Sequence, residues 1–313
     1  MTQAIQYSQT GGPEVLSLNE VPTPTPGPGQ VLVRVEAVGV NPVDGKIRSG
    51  LRASPPFTGP RGLGEDGAGT VLALGDGVEA LRVGDPVAFS GAGGAYATET
   101  VVDAAGVYPR PAAVSPAQGA AIGIPAGTAY QVVRSLAVTG ADTVLVHAGS
   151  GAVGQAVIQF ARLLGARVIA TSSERRAHRV TDLGATQVAY GDGLLERVRT
   201  AAPDGITVAI DCAGTDEAID VSLELVTDRS RIATIVRGAE AAGWGIRAWR
   251  GGSPVPMTDA EVTLRREAIP VTLALLAAGA FHVELGRTFP LTDAGKAQEE
   301  LAAGADGKLI LVP

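Results

Sequence analysis

Along the chain the apolar positions change their period near residue 122. Before that point they alternate or fall in short runs, as in Val15-Leu16-Ser17-Leu18-Asn19-Glu20-Val21 and Val31-Leu32-Val33-Arg34-Val35-Glu36-Ala37-Val38, with shorter strands predicted over 69–74 and 86–89. The prolines from Pro22 to Pro28 form a rigid connector, and Gly75-Asp76 and Gly84-Asp85 mark turns. Many short strands with regular turns predict a β-barrel or sandwich.

From Ile122 strands and helices alternate. A helix over 128–137 leads into the stretch 144–165, VLVHAGSGAVGQAVIQFARLLG, around which the rest is arranged. Val144-Leu145-Val146 reads as a strand and Gly149, Gly151 and Gly154 as a turn. Val153, Ala156, Val157, Phe160, Ala161 and Leu164 then recur at helical spacing until Gly165 stops the helix. Strand-helix pairs follow at 186–190 with 194–201 and at 206–211 with 217–225, then a strand at 231–236. Such alternation predicts a doubly wound parallel sheet of Rossmann type. Residues 238–256, with Trp244 and Trp249, carry no clear period and read as a loop, or a loop around one strand. A helix over 258–279, bent at Pro270, precedes strand-like runs at 288–291 and 308–311 that resemble the first part. The chain is therefore expected to form a β domain over 1–121, an inserted α/β domain over 122–257, and a return to the β domain over 258–313.

The glycine turn has a specific physical use. Gly149 is expected in a backbone conformation that a side chain would forbid, Gly151 lets the main chain approach a pyrophosphate, and Gly154 lets the helix pack on its strand. Free N–H groups at the helix start face the anion. Because 42 of the 313 residues are glycine, G-x-G-x-x-G alone is weak, and an ordinary tight turn competes. Its place between strand and helix favours a dinucleotide, with Gly149, Ser150, Gly151, Ala152, Val153 and Gly154 as the phosphate-binding residues. The following strand, 166–171, lacks the terminal acid that NAD enzymes use on the ribose and ends in Thr171, Ser172 and Ser173. Arg175, Arg176, His178 and Arg179 come next and suit a 2′-phosphate, which favours NADPH. Glu174 as a displaced ribose acid, and the arginines as a solvated helix face, are the competing readings.

An apolar content of 45 %, a charged content of 18 % and a net charge of −7 describe an ordinary globular chain and argue against nucleic-acid or anionic-membrane partners. Small-molecule partners are expected instead. The start, MTQAIQYSQTGGPEV, shows no secretion signal, and the apolar stretch 268–281 is too short to span a bilayer. One cysteine, Cys212, makes no internal disulfide, so a cytoplasmic location is the default. That cysteine and three scattered histidines, His147, His178 and His282, do not assemble a structural zinc site without carboxylates, and catalytic zinc is not expected. Tyr130 and Cys212 read as packing residues, and His147, at a strand end, as a satisfied buried or a cofactor-adjacent histidine. On residue type alone Asn41, before Pro42, serves equally as a turn former or a functional group.

The stretches Gly39-Val40-Asn41-Pro42-Val43-Asp44, Gly64-Glu65-Asp66-Gly67-Ala68-Gly69, Gly84-Asp85-Pro86-Val87, Thr128-Ala129-Tyr130, the glycine turn and Leu183-Gly184-Ala185 together resemble the medium-chain dehydrogenase/reductase superfamily, in its zinc-free quinone oxidoreductase branch. The resemblance covers nearly the whole chain. It implies a GroES-like β-barrel domain plus a Rossmann domain, NADPH as cofactor and a homodimer. It places Asn41 near the nicotinamide, Thr128 on the cofactor, Ser172 and Arg176 around the 2′-phosphate, and Tyr190 at the adenosine end. Zinc-dependent relatives carry a cysteine in the 41–44 region and a His-Glu pair at the positions of Glu65 and Asp66. This sequence departs from many relatives at Lys46, where they have tyrosine, and at 236–240, where they have a Gly-Ser-rich turn. The implied chemistry is hydride transfer from NADPH to a quinone, with Asn41 orienting nicotinamide or substrate and water supplying the proton. An enal or enone reductase is the alternative within that chemistry. A non-catalytic NADPH-binding sensor or structural protein is the alternative outside it.

Overall fold

The structure is a computed structural model and describes residues 1–249 and 255–313. These residues divide into two compact units, Met1–Ile124 with Ile269–Pro313, and Pro125–Ala268. In chain order the first unit contains β1 (Thr2–Tyr7), β2 (Ser17–Val21), β3 (Gln30–Gly39), α1 (Pro42–Arg48), β4 (Arg61–Gly62), β5 (Asp66–Leu74), β6 (Pro86–Ser90), β7 (Glu99–Asp103), β8 (Val107–Pro109) and α2 (Pro116–Ala121). Next come α3 (Gly123–Ser135), β9 (Thr143–His147), α4 (Ala152–Leu163), β10 (Arg167–Ser172), α5 (His178–Thr181), β11 (Thr186–Ala189), α6 (Leu194–Ala201) and β12 (Val208–Asp211). The chain continues with α7 (Asp216–Leu225), β13 (Ile232–Thr234), α8 (Ala241–Trp244), β14 (Arg247–Ala248) and α9 (Asp259–Ala277), and ends with β15 (Leu285–Pro290), α10 (Ala294–Ala302) and β16 (Lys308–Val312). The second crossing between units falls inside α9, between Ala268 and Ile269. Helical spacing runs through that crossing and carries no mark of it.

In the first unit a seven-stranded mixed sheet runs β15-β16-β3-β5-β6-β8, with β7 also on β3, and a smaller sheet runs β2-β1-β4. β3 is its axis. It pairs with β5 along one edge, and its other edge takes β7 at residues 30–34 and β16 at Val38 and Gly39. Through β16 the C-terminal segment joins the sheet of the first unit. Val31, Val33, Val35, Phe89, Tyr96, Leu309 and Leu311 share its core. Strict alternation fails in β3, where Val31, Leu32 and Val33 are all buried. The single strand predicted over 15–21 is instead a 3₁₀ turn, Pro13–Val15, followed by β2. β2 is an edge strand paired only with β1, so Leu18 stays exposed.

The second unit is the doubly wound sheet, all parallel, in the order β11-β10-β9-β12-β13-β14. From β9 the chain winds outward through β10 and β11, then crosses to the other side through β12, so the order reverses at the β9/β12 boundary. Val144, Leu145 and Val146 are fully buried, as a central parallel strand requires. α4 is buried continuously from Gly154 to Ala161, more than the one-faced stripe its spacing predicts, and Leu164 is exposed. Its extra burial has a visible source: α4 packs on β9 and β10, and Phe160 meets Tyr130 of α3 edge-to-face at 5.2 Å. Helix α3 starts five residues before the predicted position, since Pro125 is tolerated in its first turns. The aperiodic stretch 238–256 contains α8 and β14, which adds a sixth strand; residues 250–254 lie outside those described.

Candidate functional site

In the second unit β9 delivers the chain into the glycine turn. The left-handed residue there is Ala148, at φ 53°, and not Gly149, whose φ is not positive. Gly149 is required for a different reason: a Cβ on it would lie 2.6 Å from the Ala170 Cβ of β10. The turn is held by Gly149 N donating to Thr171 O at 2.8 Å and Ala148 N donating to Thr171 Oγ1 at 3.0 Å. Gly154 performs the expected packing role, since a Cβ on it would come within 2.3 Å of Ala148 O. Gly151 differs from both. Its φ is −83° and a Cβ there would meet nothing closer than Ala148 O at 3.5 Å, so the chain's own packing leaves the space open. It is the N-cap of α4, whose first N–H groups lack helical partners.

Of the other sequence-predicted residues of this unit, Ser172, Ser173, Arg176 and Tyr190 lie at the carboxyl ends of β10 and β11. Ser172 ends β10, is buried, and donates to Ser173 O at 3.0 Å. Ser173 opens the 3₁₀ turn Glu174–Arg176, and Tyr190, 59 % exposed, follows β11. Thr128 stands on α3 and its Oγ1 accepts from Arg265 Nη2 of α9 at 2.6 Å, a partner that sequence spacing gives no means of finding. After β12, Asp211 organises the next turn: Oδ1 accepts from the N–H groups of Ala213 and Gly214 at 2.9 and 2.8 Å, and Oδ2 from Thr234 Oγ1 at 2.7 Å. At 236–240 the Arg237 guanidinium pairs with Asp216 and Glu240 and lies 4.8 Å over the Trp244 ring.

His147 and Cys212 are packed groups. Ser222 Oγ donates to Ala218 O at 2.7 Å, so its contact with His147 Nε2 at 3.1 Å makes that nitrogen the protonated one. Burial pushes the imidazole down to about 4, against the pull of Asp211. Burial, with Asp211 adding to it, pushes the Cys212 thiol well above its usual range, which makes it a poor nucleophile.

The first unit holds a polar cluster in its interior. Asn41 is the N-cap of α1, with Pro42 at the first helical position, and Asp44 Oδ2 accepts from Asn41 N at 2.9 Å. The Asn41 side chain is turned elsewhere: Nδ2 donates to Gly39 O at 3.0 Å and to Asp66 Oδ2 at 2.9 Å, and Oδ1 accepts from Lys308 Nζ. Asp66 also accepts from Ser90 Oγ at 2.7 Å and from Ile124 N at 2.7 Å. Tyr96 donates to Asp44 Oδ2 at 3.1 Å. All five of Asn41, Asp44, Asp66, Tyr96 and Lys308 are buried. Burial pushes the Asp44 carboxyl up to about 7, opposed by the Asn41 N–H and reinforced by the Asp66 charge. It pushes the Lys308 ammonium down, against the attraction of Asp66 and Asp44. Asn41, Asp44 and Asp66 belong to stretches the sequence singles out; Tyr96 and Lys308 do not. The one available signal was a lysine opening the otherwise apolar run 308–311.

A Rossmann sheet with a glycine turn at its switch point, joined to a mixed β unit, defines a dinucleotide-dependent oxidoreductase architecture. Family comparison agrees: the alcohol dehydrogenase GroES-like domain matches residues 27–112 and the zinc-binding dehydrogenase domain matches residues 152–242. The quinone oxidoreductase of Rattus norvegicus is 33 % identical over 100 % of this chain and 98 % of its own length. Among solved structures, the quinone oxidoreductase of Pseudomonas syringae pv. Tomato DC3000 superposes with a TM-score of 0.86 at 31 % identity, covering 100 % of both chains. The Escherichia coli quinone oxidoreductase complexed with NADPH does so with a TM-score of 0.84 at 28 % identity, again covering 100 % of both chains. The chain belongs to the medium-chain dehydrogenase/reductase superfamily, and its quinone oxidoreductases are among its relatives. Among the described residues no helix is long and apolar enough to cross a membrane.

Proposed function

We propose that this protein is an NADPH-dependent quinone reductase that works without zinc. The observation that carries the reading is Gly151: a glycine at a helix N-terminus that neither φ nor packing requires, at the carboxyl end of the central strand. Close approach of a diphosphate gives that glycine a reason. In this reading the N–H groups of the 149–154 segment (Gly149, Ser150, Gly151, Ala152, Val153 and Gly154) hold the diphosphate. Ser172, Ser173 and Arg176 hold the 2′-phosphate, Tyr190 packs at the adenosine end, and Thr128 and Asn41 serve the nicotinamide end. The NADPH-bound Escherichia coli relative supports this choice of cofactor. Bound NADPH supplies the hydride.

The residues at the positions where zinc-dependent relatives hold their ligands do not suit a divalent cation. Asn41 offers a neutral amide whose oxygen already takes the Lys308 ammonium, and a dication there would face that ammonium in a buried setting. A conjugated quinone needs no Lewis acid to accept hydride, so the protein's task is to orient the acceptor and exclude water. The proton that completes the hydroquinone comes from water. A cytoplasmic homodimer belongs to the same proposal.

The test is a fluorescence titration with NADPH and NADH, followed by turnover of a benzoquinone beside an alkenal. NADPH binding with preferential turnover of the quinone supports the reading. Preferential turnover of the alkenal replaces the substrate, and binding without oxidation of NADPH replaces the enzyme with a binding protein.

A further inference from the structure

The interior of the first unit holds an ammonium, that of Lys308, which the chemistry above leaves without a task. We infer that Lys308 is a positioning residue for the reaction: by donating to Asn41 Oδ1 it fixes which end of the Asn41 amide is offered to the ligand. This rests on the proposed function, which makes Asn41 a ligand-side group.

The hydrogen-bond inventory of Asn41 leaves it one orientation. Its two N–H donors go to Gly39 O and Asp66 Oδ2, both pure acceptors, and its oxygen goes to an ammonium, a pure donor. Turning the amide over would set Oδ1 against a carbonyl and a carboxylate and Nδ2 against the ammonium, breaking every bond it makes. Asp66 is itself anchored by Ser90 and by Ile124 N, so it does not follow such a turn. With both donors used, the capacity left on the side chain is the second lone pair of Oδ1. A ligand group meeting Asn41 must therefore be a donor, such as a carboxamide N–H or a hydroxyl, and not a carbonyl oxygen. Remove the ammonium and the amide loses the one of its three bonds that holds Oδ1 in place, leaving its orientation to the two acceptors of Nδ2.

Lys308 also neutralises the buried carboxylates of Asp66 and Asp44, and that role is purely structural. A double-mutant cycle separates the two roles, because a residue that acts through Asn41 loses its effect when the Asn41 amide is gone. Asn41→Ala, Lys308→Met and the double variant are compared for kcat with benzoquinone, KM for NADPH and thermal midpoint. The expected result is a loss of about tenfold or more in kcat for Lys308→Met, a change of less than about threefold in KM, and less than a further twofold loss in kcat when the substitution is added to Asn41→Ala. Should Lys308→Met fail to fold, Asp66→Asn/Lys308→Met, which removes opposite charges together, takes its place in a cycle with Asn41→Ala. Wild-type kcat in the lysine variant, or the same fold-loss in both backgrounds, overturns the assignment alone. A wild-type protein that binds NADPH but oxidises it with no quinone overturns the proposed function and the assignment with it.

Discussion

Tyr96 donates its hydroxyl hydrogen to Asp44 Oδ2 at 3.1 Å, and both side chains are buried in the first unit. Asp44 is thereby a carboxyl in the core with two hydrogen-bond donors on one oxygen and, on the other, no partner among the described residues. Its ionisation is raised from an ordinary 3.8 to about 7 because burial outweighs those two bonds.

The sign of the resulting pH dependence follows. Between about 4 and 7 the folded state keeps a proton that the unfolded chain has released, so stability of the first unit falls as pH rises through that window. Hydrogen exchange of β3 and β16 peptides measured from pH 4 to 8, corrected for intrinsic rates, should show weakening protection toward pH 8. Asp44→Asn should flatten the trend; an unchanged slope in that variant would remove Asp44 as its cause.

The second unit should respond in the opposite direction. His147 is held neutral down to about 4 by burial, while the unfolded histidine takes a proton near 6.5, so stability drops as pH falls between those values. The integrated loss is on the order of 3 kcal/mol. Both tryptophans, Trp244 and Trp249, lie in this unit, so their fluorescence during urea unfolding reports it directly. His147→Gln should lose the acid-side dependence, and retention of the full wild-type slope would count against the assignment.

Gly151 and Gly154 separate a ligand's demand from the protein's own. Gly154→Ala forces a methyl group to within 2.3 Å of Ala148 O and should destabilise the second unit by about 2 kcal/mol or more. Gly151→Ala meets no neighbour inside 3.5 Å and should melt like the wild type while binding NADPH at least about tenfold more weakly. Equal NADPH affinity in Gly151→Ala and wild type would contradict the proposed cradle.

Arg176 carries the choice between cofactors. Arg176→Ala should cost NADPH binding about 1.5 to 3 kcal/mol more than NADH binding, the worth of a charge-assisted bond to the 2′-phosphate. Isothermal titration with both nucleotides measures the difference, and equal losses would place the phosphate elsewhere.

What the sequence disclosed depended on the range of each signal. The β9–α4 segment was legible because strand, turn and helix are contiguous and two of its glycines answer to local packing. Its left-handed position was misplaced by one residue, because Ala148 pays a strain that glycine would avoid and residue type therefore points to its neighbour. β1, β7 and β8 escaped notice: β1, with the sequence TQAIQY, buries Thr2, Ala4, Ile5 and Tyr7, a pattern whose alternation breaks in the middle. The Asn41 cluster was illegible as a unit, since residues 41, 44, 66, 96 and 308 meet only after β16 has paired with β3.

The central claim, that this chain passes hydride from NADPH to a quinone without a metal, is tested most directly by NADPH consumption at 340 nm with benzoquinone after exhaustive dialysis against a chelator. Saturable oxidation at the undialysed rate, with NADPH preferred to NADH, is the predicted result. Failure to oxidise NADPH with any of a panel of quinones, or activity lost to the chelator and restored by zinc, would contradict it.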